Sequence, residues 1–173
     1  LGGTNIMYVP FATNFMNVNQ WPEPTFEVNA WVGNNYSSAG PGSSWFGGET
    51  YKWGTNAFTN IQQAVTMLEF GGTVWLAPET FEITEQIVVN QAVTIIGTQN
   101  VSTVAMAPGG TSRCFYLDHV SARLVGLVIT NGYALGDGNA GCGGGVFVAV
   151  SPVGSSFPDP VIESCSVVNC RAS

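Results

Sequence analysis

Read for the spacing of apolar and polar positions, the chain changes character twice. In FTNIQQAVTMLEF (58–70), Phe58, Ile61, Val65 and Leu68 recur at helical spacing, Thr59 or Asn60 can cap the start and Gly71-Gly72 stops it. That pattern predicts a helix over 58–70. From residue 73 the pattern becomes short β-runs between turn residues: TVWLAP (73–78), EQIVVN (85–90), VTIIGT (93–98), TVAMAP (103–108), RCFYLD (113–118), ARLVGLVITN (122–131), GGVFVAV (144–150) and PVIESCSVVN (160–169). Their Val, Ile, Thr and aromatic content suits a pleated surface. No helical pattern intervenes, which excludes a βαβ sheet, and Asn-Gly turns joining matched strands are scarce. Residues 1–57 are irregular and aromatic, with Trp21, Trp31, Trp45 and Trp53. Here MYVPFATNFMNVN (7–19) has short extended pieces, and GNNYSSAGPGSSWFGGET (33–50) has the chemistry of a loop.

The β-runs also resemble one another. LVITNGYA (127–134) lies over CSVVNCRA (165–172) at an offset of 38 residues, matching Asn131 with Asn169, and ARLVG (122–126) lies over PVIES (160–164). VWLAP (74–78) lies over VAMAP (104–108) at an offset of 30, and VTIIG (93–97) precedes LVITN by 34. A unit of roughly 30 to 40 residues holding two or three short strands is a stacking unit, unable to bury its apolar side chains alone. Stacked about 4.8 Å apart, such units bury a continuous core and satisfy one another's backbone groups. Asn131 and Asn169 would form a side-chain ladder, and glycines such as Gly143, Gly144 and Gly145 would supply sharp corners. The expectation is an all-β fold: a right-handed parallel β-helix of few turns, three to five by repeat length, with the 58–70 helix capping its first turn.

Composition sharpens this. Charged residues are only 9% of the 173, against roughly 25% in ordinary globular domains, so Asn, Gln, Ser, Thr and Gly must build the surface. The net charge of −7 argues against nucleic acid and against an anionic membrane surface as partners. No run approaches the ~18 apolar residues of a membrane helix, so membrane insertion is not expected. Sparse charge means little repulsion between copies. The chain starts at Leu1 without a basic or apolar targeting pattern, as if a targeting segment were removed or the chain were a piece. Four cysteines (Cys114, Cys142, Cys165 and Cys170) in a Lys-poor chain suit an oxidising, extracellular setting. They are disulfide candidates with three possible pairings, or else buried thiols packing as small apolar groups. They do not suggest zinc, because no second ligand pair exists and His119 is the sole histidine.

At this point GSSWFGGETYKWGTNAFTNIQQAVTMLEFGGTVWLAPETF (42–81) resembles the entry segment of secreted right-handed β-helix proteins of the pectate-lyase-like superfamily. GCGGGVFV (141–148), with LVITN and CSVVN, resembles the two halves of the repeat in polymorphic outer-membrane proteins and related adhesins. The resemblance covers residues 42–173, a parallel β-helix domain with its cap, and leaves 1–41 as an extended, irregular arm. It implies the fold more specifically than the function. The superfamily includes polysaccharide lyases and hydrolases, phage tailspikes, adhesins, and surface-layer or filament components.

A lyase on this fold needs an acidic calcium cluster and a Lys or Arg base. The acidic and basic candidates are Asp118, His119, Arg123, Asp137, Asp159 and Glu163; the catalytic reading makes Arg123 or His119 the base and Asp118 the orienting acid. The alternative is a turn at Asp118-His119 and a solvated strand end at Arg123. No close Asp pair of the hydrolase kind is present. GDGNAGCGGG (136–145) invites a calcium or phosphate loop, but one Asp falls short of six to eight oxygens and a Walker Lys is absent, so a turn is the better reading. Neither a metal nor a cofactor is called for. Trp side chains could stack on sugars or pack in the core. The last strand exposes an edge near Val161, Val167 and Val168, a template for another chain. The arm, with alternating Ile6, Tyr8 and Phe11, could be the strand that a neighbour receives. The reading is an extracellular structural protein, a self-assembling subunit of a filament or surface layer, formed by head-to-tail stacking or strand donation. A carbohydrate-active enzyme fragment comes second, and an adhesin or surface-glycan-binding module third.

Overall fold

Short runs in which every second residue is apolar can bury only one side, and the fold gathers those sides into one core. The computed structural model describes residues 29–34, 43–44, 50–51, 54–68, 71–97, 101–118, 121–149 and 159–173. Residues 7–19, with Ile6, Tyr8 and Phe11 of the expected arm, lie outside the described residues, as do Trp21, Trp45, Trp53 and His119.

In chain order the elements are β1 (Asn29–Val32), β2 (Ser43–Ser44), β3 (Thr50–Tyr51), β4 (Ala57–Phe58), the helix α1 (Ile61–Met67), β5 (Gly72–Leu76), β6 (Thr80–Ile83), β7 (Ile87–Val89) and β8 (Val93–Gly97). There follow β9 (Thr103–Met106), β10 (Phe115–Asp118), β11 (Arg123–Val125), β12 (Val128–Thr130), β13 (Tyr133–Ala134), a 3₁₀ turn (Gly138–Gly141), β14 (Val146–Ala149), β15 (Val161–Glu163), β16 (Ser166–Val168) and β17 (Arg171–Ala172). The protein is thus mostly β-strand with one helix among the described residues. Apart from the small antiparallel pair β2–β3, its sheets are parallel.

The largest sheet runs β4-β1-β5-β8-β11-β15, a second runs β6-β9-β12-β16, a third β7-β10-β14, and β13 pairs with β17. The chain visits the first three in turn, so β5-β6-β7, β8-β9-β10, β11-β12-β13-β14 and β15-β16-β17 are four successive passes. Register lines up their inward residues in columns: Val74, Ile95, Leu124 and Ile162 in the first sheet, and Phe81, Val104, Ile129 and Val167 in the second. Ile87, Phe115 and Val146 form the column of the third. Each side chain packs on those directly above and below it, as cross-strand neighbours do.

The 38-residue offset is the true register of the last two passes: Arg123 pairs with Val161, Ile129 with Val167 and Ala134 with Ala172. The matched corners agree in conformation. Gly126 (φ 65°) stands over Ser164 (φ 53°), and Asn131 (φ 63°) over Asn169 (φ 54°). These corners split ARLVGLVITN and PVIESCSVVN into two strands each. The offsets of 30 and 34 are not structural. Val74 pairs with Ile95 and Val104 with Phe81, because VWLA and VAMA belong to different sheets. VTIIG stacks under the RLV of β11, not under LVITN, since passes differ in length. TFEI (80–83) forms β6, a strand absent from the sequence pattern. Residues 29–32, expected in the arm, form β1 between β4 and β5, with Ala30 and Val32 buried; NAWV is too short to announce itself.

The helix is shorter than 58–70. Phe58 belongs to β4, and residues 69–70 lie outside the described residues. Of the two possible caps, Asn60 is the one used: its side chain accepts from the Gln63 N–H at 3.1 Å. Ile61, Ala64, Val65 and Leu68 are buried. The exit requires glycine at 71, where φ is 93° and a Cβ would lie 2.8 Å from the Ala92 carbonyl oxygen.

The helix also seals strand edges. Gln62 donates from Nε2 to the Val88 carbonyl at 3.0 Å and accepts from the Val88 N–H at 2.7 Å, doing for β7 what a neighbouring strand would do. The Asn34 side chain donates to the Thr80 carbonyl at 3.2 Å on β6, and its N–H donates to the Glu79 carboxylate. In the first sheet β1 and β4 extend beyond β5. Gln62→Ala strips both bonds from Val88 and should lower unfolding free energy by about 1–3 kcal/mol in a denaturant titration, the cost of orphaned backbone groups. Ser164→Gly should raise it by roughly 0.5–1 kcal/mol, because glycine takes φ > 0 without a Cβ penalty.

Candidate functional site

At the end opposite the helix the columns stop uncovered. β15, β16, β17 and β14 are the last strands of their sheets, with one edge unpaired among the described residues. Leu124 and Ile129 are fully buried, yet Ile162 and Val167, one layer on, are 45% and 51% exposed. Val148, stacked on the buried Leu117, is also exposed. This layer displays core positions to solvent, together with a row of backbone donors and acceptors that fits a further parallel strand. Val161 and Val168, expected as assembly residues, are exposed here too, but stack on the outward positions Arg123 and Thr130. Ile162 was not among the expected residues. The turn at Ser164 resets the alternation, and pairing Ile162 with Leu124 across the 38-residue match is the signal that finds it.

The expected catalytic trio is placed as follows. Arg123 lies on β11, and its Nη2 is 2.8 Å from Oε2 of Glu163, one strand over, with both side chains about half exposed. An exposed pair of this kind contributes about 0–1 kcal/mol. Asp118 ends β10, in a different sheet, and His119 lies outside the described residues. Among the described residues no group of three or more His, Cys, Asp or Glu side chains is placed to hold a metal ion. Nor is any helix among them long and apolar enough to cross a membrane. Trp31 is buried in the first sheet, whereas Trp75 is partly exposed and its indole N–H donates to Asn29 Oδ1 at 3.3 Å.

GDGNAGCGGG folds as the 3₁₀ turn, and its carbonyls face a cation from within the protein. Arg113, 7% exposed, donates from Nη2 to the carbonyls of Asn139 (2.8 Å) and Ala140 (2.9 Å). Its guanidinium carbon sits 4.5 Å from the centre of the Phe147 ring and 5.6 Å from that of Tyr116, and the two rings stack on each other. The three glycines that follow bring the third pass close to the fourth. Gly143 adopts φ 64°, a Cβ on Gly144 would come within 1.9 Å of the Arg171 carbonyl oxygen, and one on Gly145 within 2.5 Å of Val167. Asn131 and Asn169 stack at their matched corners beside Tyr133 and Arg171, along a groove of about 820 Å³. The hydroxyl of Thr130 donates to the Asn131 side-chain oxygen at 3.2 Å.

All four cysteines are free thiols, so the expected disulfides are not formed. Cys142 is exposed and donates to the Gly138 carbonyl, and Cys165 points toward the carbonyls of Leu124 and Glu163. Cys114 is completely buried, beside Cys170. Burial first, then the neighbouring thiol, pushes its pKa from 9.0 up to about 12.

No family model matches the chain, and neither a curated protein nor a solved structure does. The arrangement itself is therefore what bears on function: one end sealed by side chains, the other presenting an unfilled layer.

The raised Cys114 pKa gives a pH dependence of defined sign. Below about pH 9 the thiol is protonated in both folded and unfolded chains. Above it the unfolded chain loses the proton while the folded one keeps it until near 12, so stability falls, by at most about 1.4 kcal/mol per pH unit from this group. Denaturant titrations between pH 8 and 10 should show a steeper loss for the wild type than for Cys114→Ala.

Proposed function

We propose that this protein is an extracellular structural subunit, wound as a right-handed parallel β-helix of few turns, that associates with further copies of itself through the open end of its stack. The observation that carries the reading is the asymmetry of the two ends. Gln62, Asn34, β1 and β4 occupy strand edges at one end, while Ile162, Val167 and Val148 stand uncovered at the other. Each of these side chains is about half exposed, so covering one is worth about 1 kcal/mol, before the backbone bonds of an added strand. The sealed end has little free edge to give in return, which favours a donated strand over direct stacking of ends. Residues 1–28 carry such a strand in sequence, with Ile6 and Tyr8 alternating and Phe11 beyond. Donation from copy to copy that does not close into a ring yields a filament or layer. The scarcity of charge removes one obstacle to it. The resemblance of 42–173 to secreted β-helix proteins agrees with an extracellular setting.

The test compares the full chain with Ile162→Lys/Val167→Lys by sedimentation over rising concentration, with electron microscopy of the same samples. The wild type should form higher-order species with a regular repeat, and the double variant should remain dispersed with an unchanged circular dichroism spectrum. Assembly of the double variant to the wild-type extent, or a wild type dispersed at every concentration, would overturn the proposal.

A further inference from the structure

Cys114 precedes β10 in the second pass and Cys170 joins β16 to β17 in the fourth, 56 residues later, yet they lie close together. Cys114 Sγ donates to the Thr130 carbonyl at 3.4 Å, and Cys170 Sγ, 3.4 Å from the Val168 carbonyl, also lies 3.8 Å from the adjacent Ile129 carbonyl. The Cys114 N–H donates to the Gly145 carbonyl at 3.2 Å, and a Cβ on Gly145 would lie 3.2 Å from Cys170 Sγ. Gly132, between the two layers, would bring a Cβ within 3.0 Å of Cys114 Sγ. Two glycines thus leave clear the space into which both sulfurs project, beside the Ile129–Thr130 stretch of β12. The other two cysteines are engaged elsewhere, Cys142 with Gly138 and Cys165 with Leu124 and Glu163.

We propose that Cys114 and Cys170 are a redox pair that oxidises to an intramolecular disulfide, fastening the outermost pass to the one two layers below. The oxidant is a small-molecule disulfide of the glutathione class. Cys170, partly exposed, loses its proton and attacks one sulfur of that disulfide, forming a mixed disulfide and releasing the first small thiol. Cys114 then gives up its proton and attacks Cys170 Sγ, closing the protein disulfide and expelling the second small thiol. Two protein S–H bonds are lost, one S–S bond forms, and the oxidant is reduced to two thiols. Burial of Cys114 makes the second step the slow one. The bond would hold in place the layer whose edge is open, and its formation does not depend on whether copies associate.

The test treats the 173-residue chain carrying Cys142→Ser/Cys165→Ser with oxidised glutathione and reads intact mass, before and after alkylation in denaturant. The expected product is a monomer lighter by two hydrogens, without adduct and unreactive to alkylation until reduced. Cys170→Ser in the same background should keep one alkylatable thiol and show no such loss. Should the double variant fail to fold, fragmentation mapping of oxidised wild type must find the Cys114–Cys170 linkage. A lasting glutathione adduct at Cys170, an unreacted pair, a disulfide-linked dimer or a different pairing would each overturn the inference.

Discussion

A stack of parallel strands satisfies its backbone only between layers, so every structure of this kind has two end layers whose outward edges must be met by something else. That constraint organises this protein more than its composition does. Within the stack each layer covers the one below: Val74, Ile95 and Leu124 are all fully buried because each sits on the next. At the first end, a short helix and a few amides do the work of a missing strand. Gln62 fits this role because a carboxamide offers both a donor and an acceptor, the pair that a strand edge requires. At the other end the same columns run out at Ile162 and Val167, and nothing among the described residues replaces the absent layer.

The corners follow from the same constraint. Layers stay in register only if each bends at the same place, so Gly126 and Ser164, and Asn131 and Asn169, share left-handed backbone angles across the 38-residue interval. Where the third and fourth passes approach most closely, Gly144 leaves room for the Arg171 backbone and Gly145 for the Val167 and Cys170 side chains. The close approach that holds the last layer down is also what brings Cys170 to Cys114.

Much of this was legible in sequence, and the parts that were not share one cause. The match of LVITNGYA to CSVVNCRA gave the register of the last two passes because those passes have equal length and keep Asn at the same corner. The matches at 30 and 34 misled because earlier passes are shorter, so similar strings fall in different sheets. TFEI went unseen because its polar–apolar alternation lasts only four residues, and NAWV because an extended stretch of loop chemistry surrounds it. The helix was legible in its apolar spacing, while the role of Gln62 was not, since it depends on where β7 arrives in space. In the candidate site, Val167 was identifiable as the end of an apolar column. Ile162 required knowing that Ser164 turns the strand. The meeting of Cys114 with Cys170 spans two layers, and no local pattern carries it.

Among the described residues this stack has one satisfied edge and one open edge, and amide hydrogen exchange on the dispersed protein reads both. Exchange should be slow for Ile95 and Leu124, in the middle of the first sheet. It should also be slow for Val88, whose N–H is held by Gln62, and fast for Ile162 and Val167 on the outward edge, next to Val161 and Ser166, whose N–H groups donate to the third pass. Protection of Ile162 and Val167 equal to that of Ile95 in dispersed chains, or rapid exchange at Val88, would mean that the two ends do not differ.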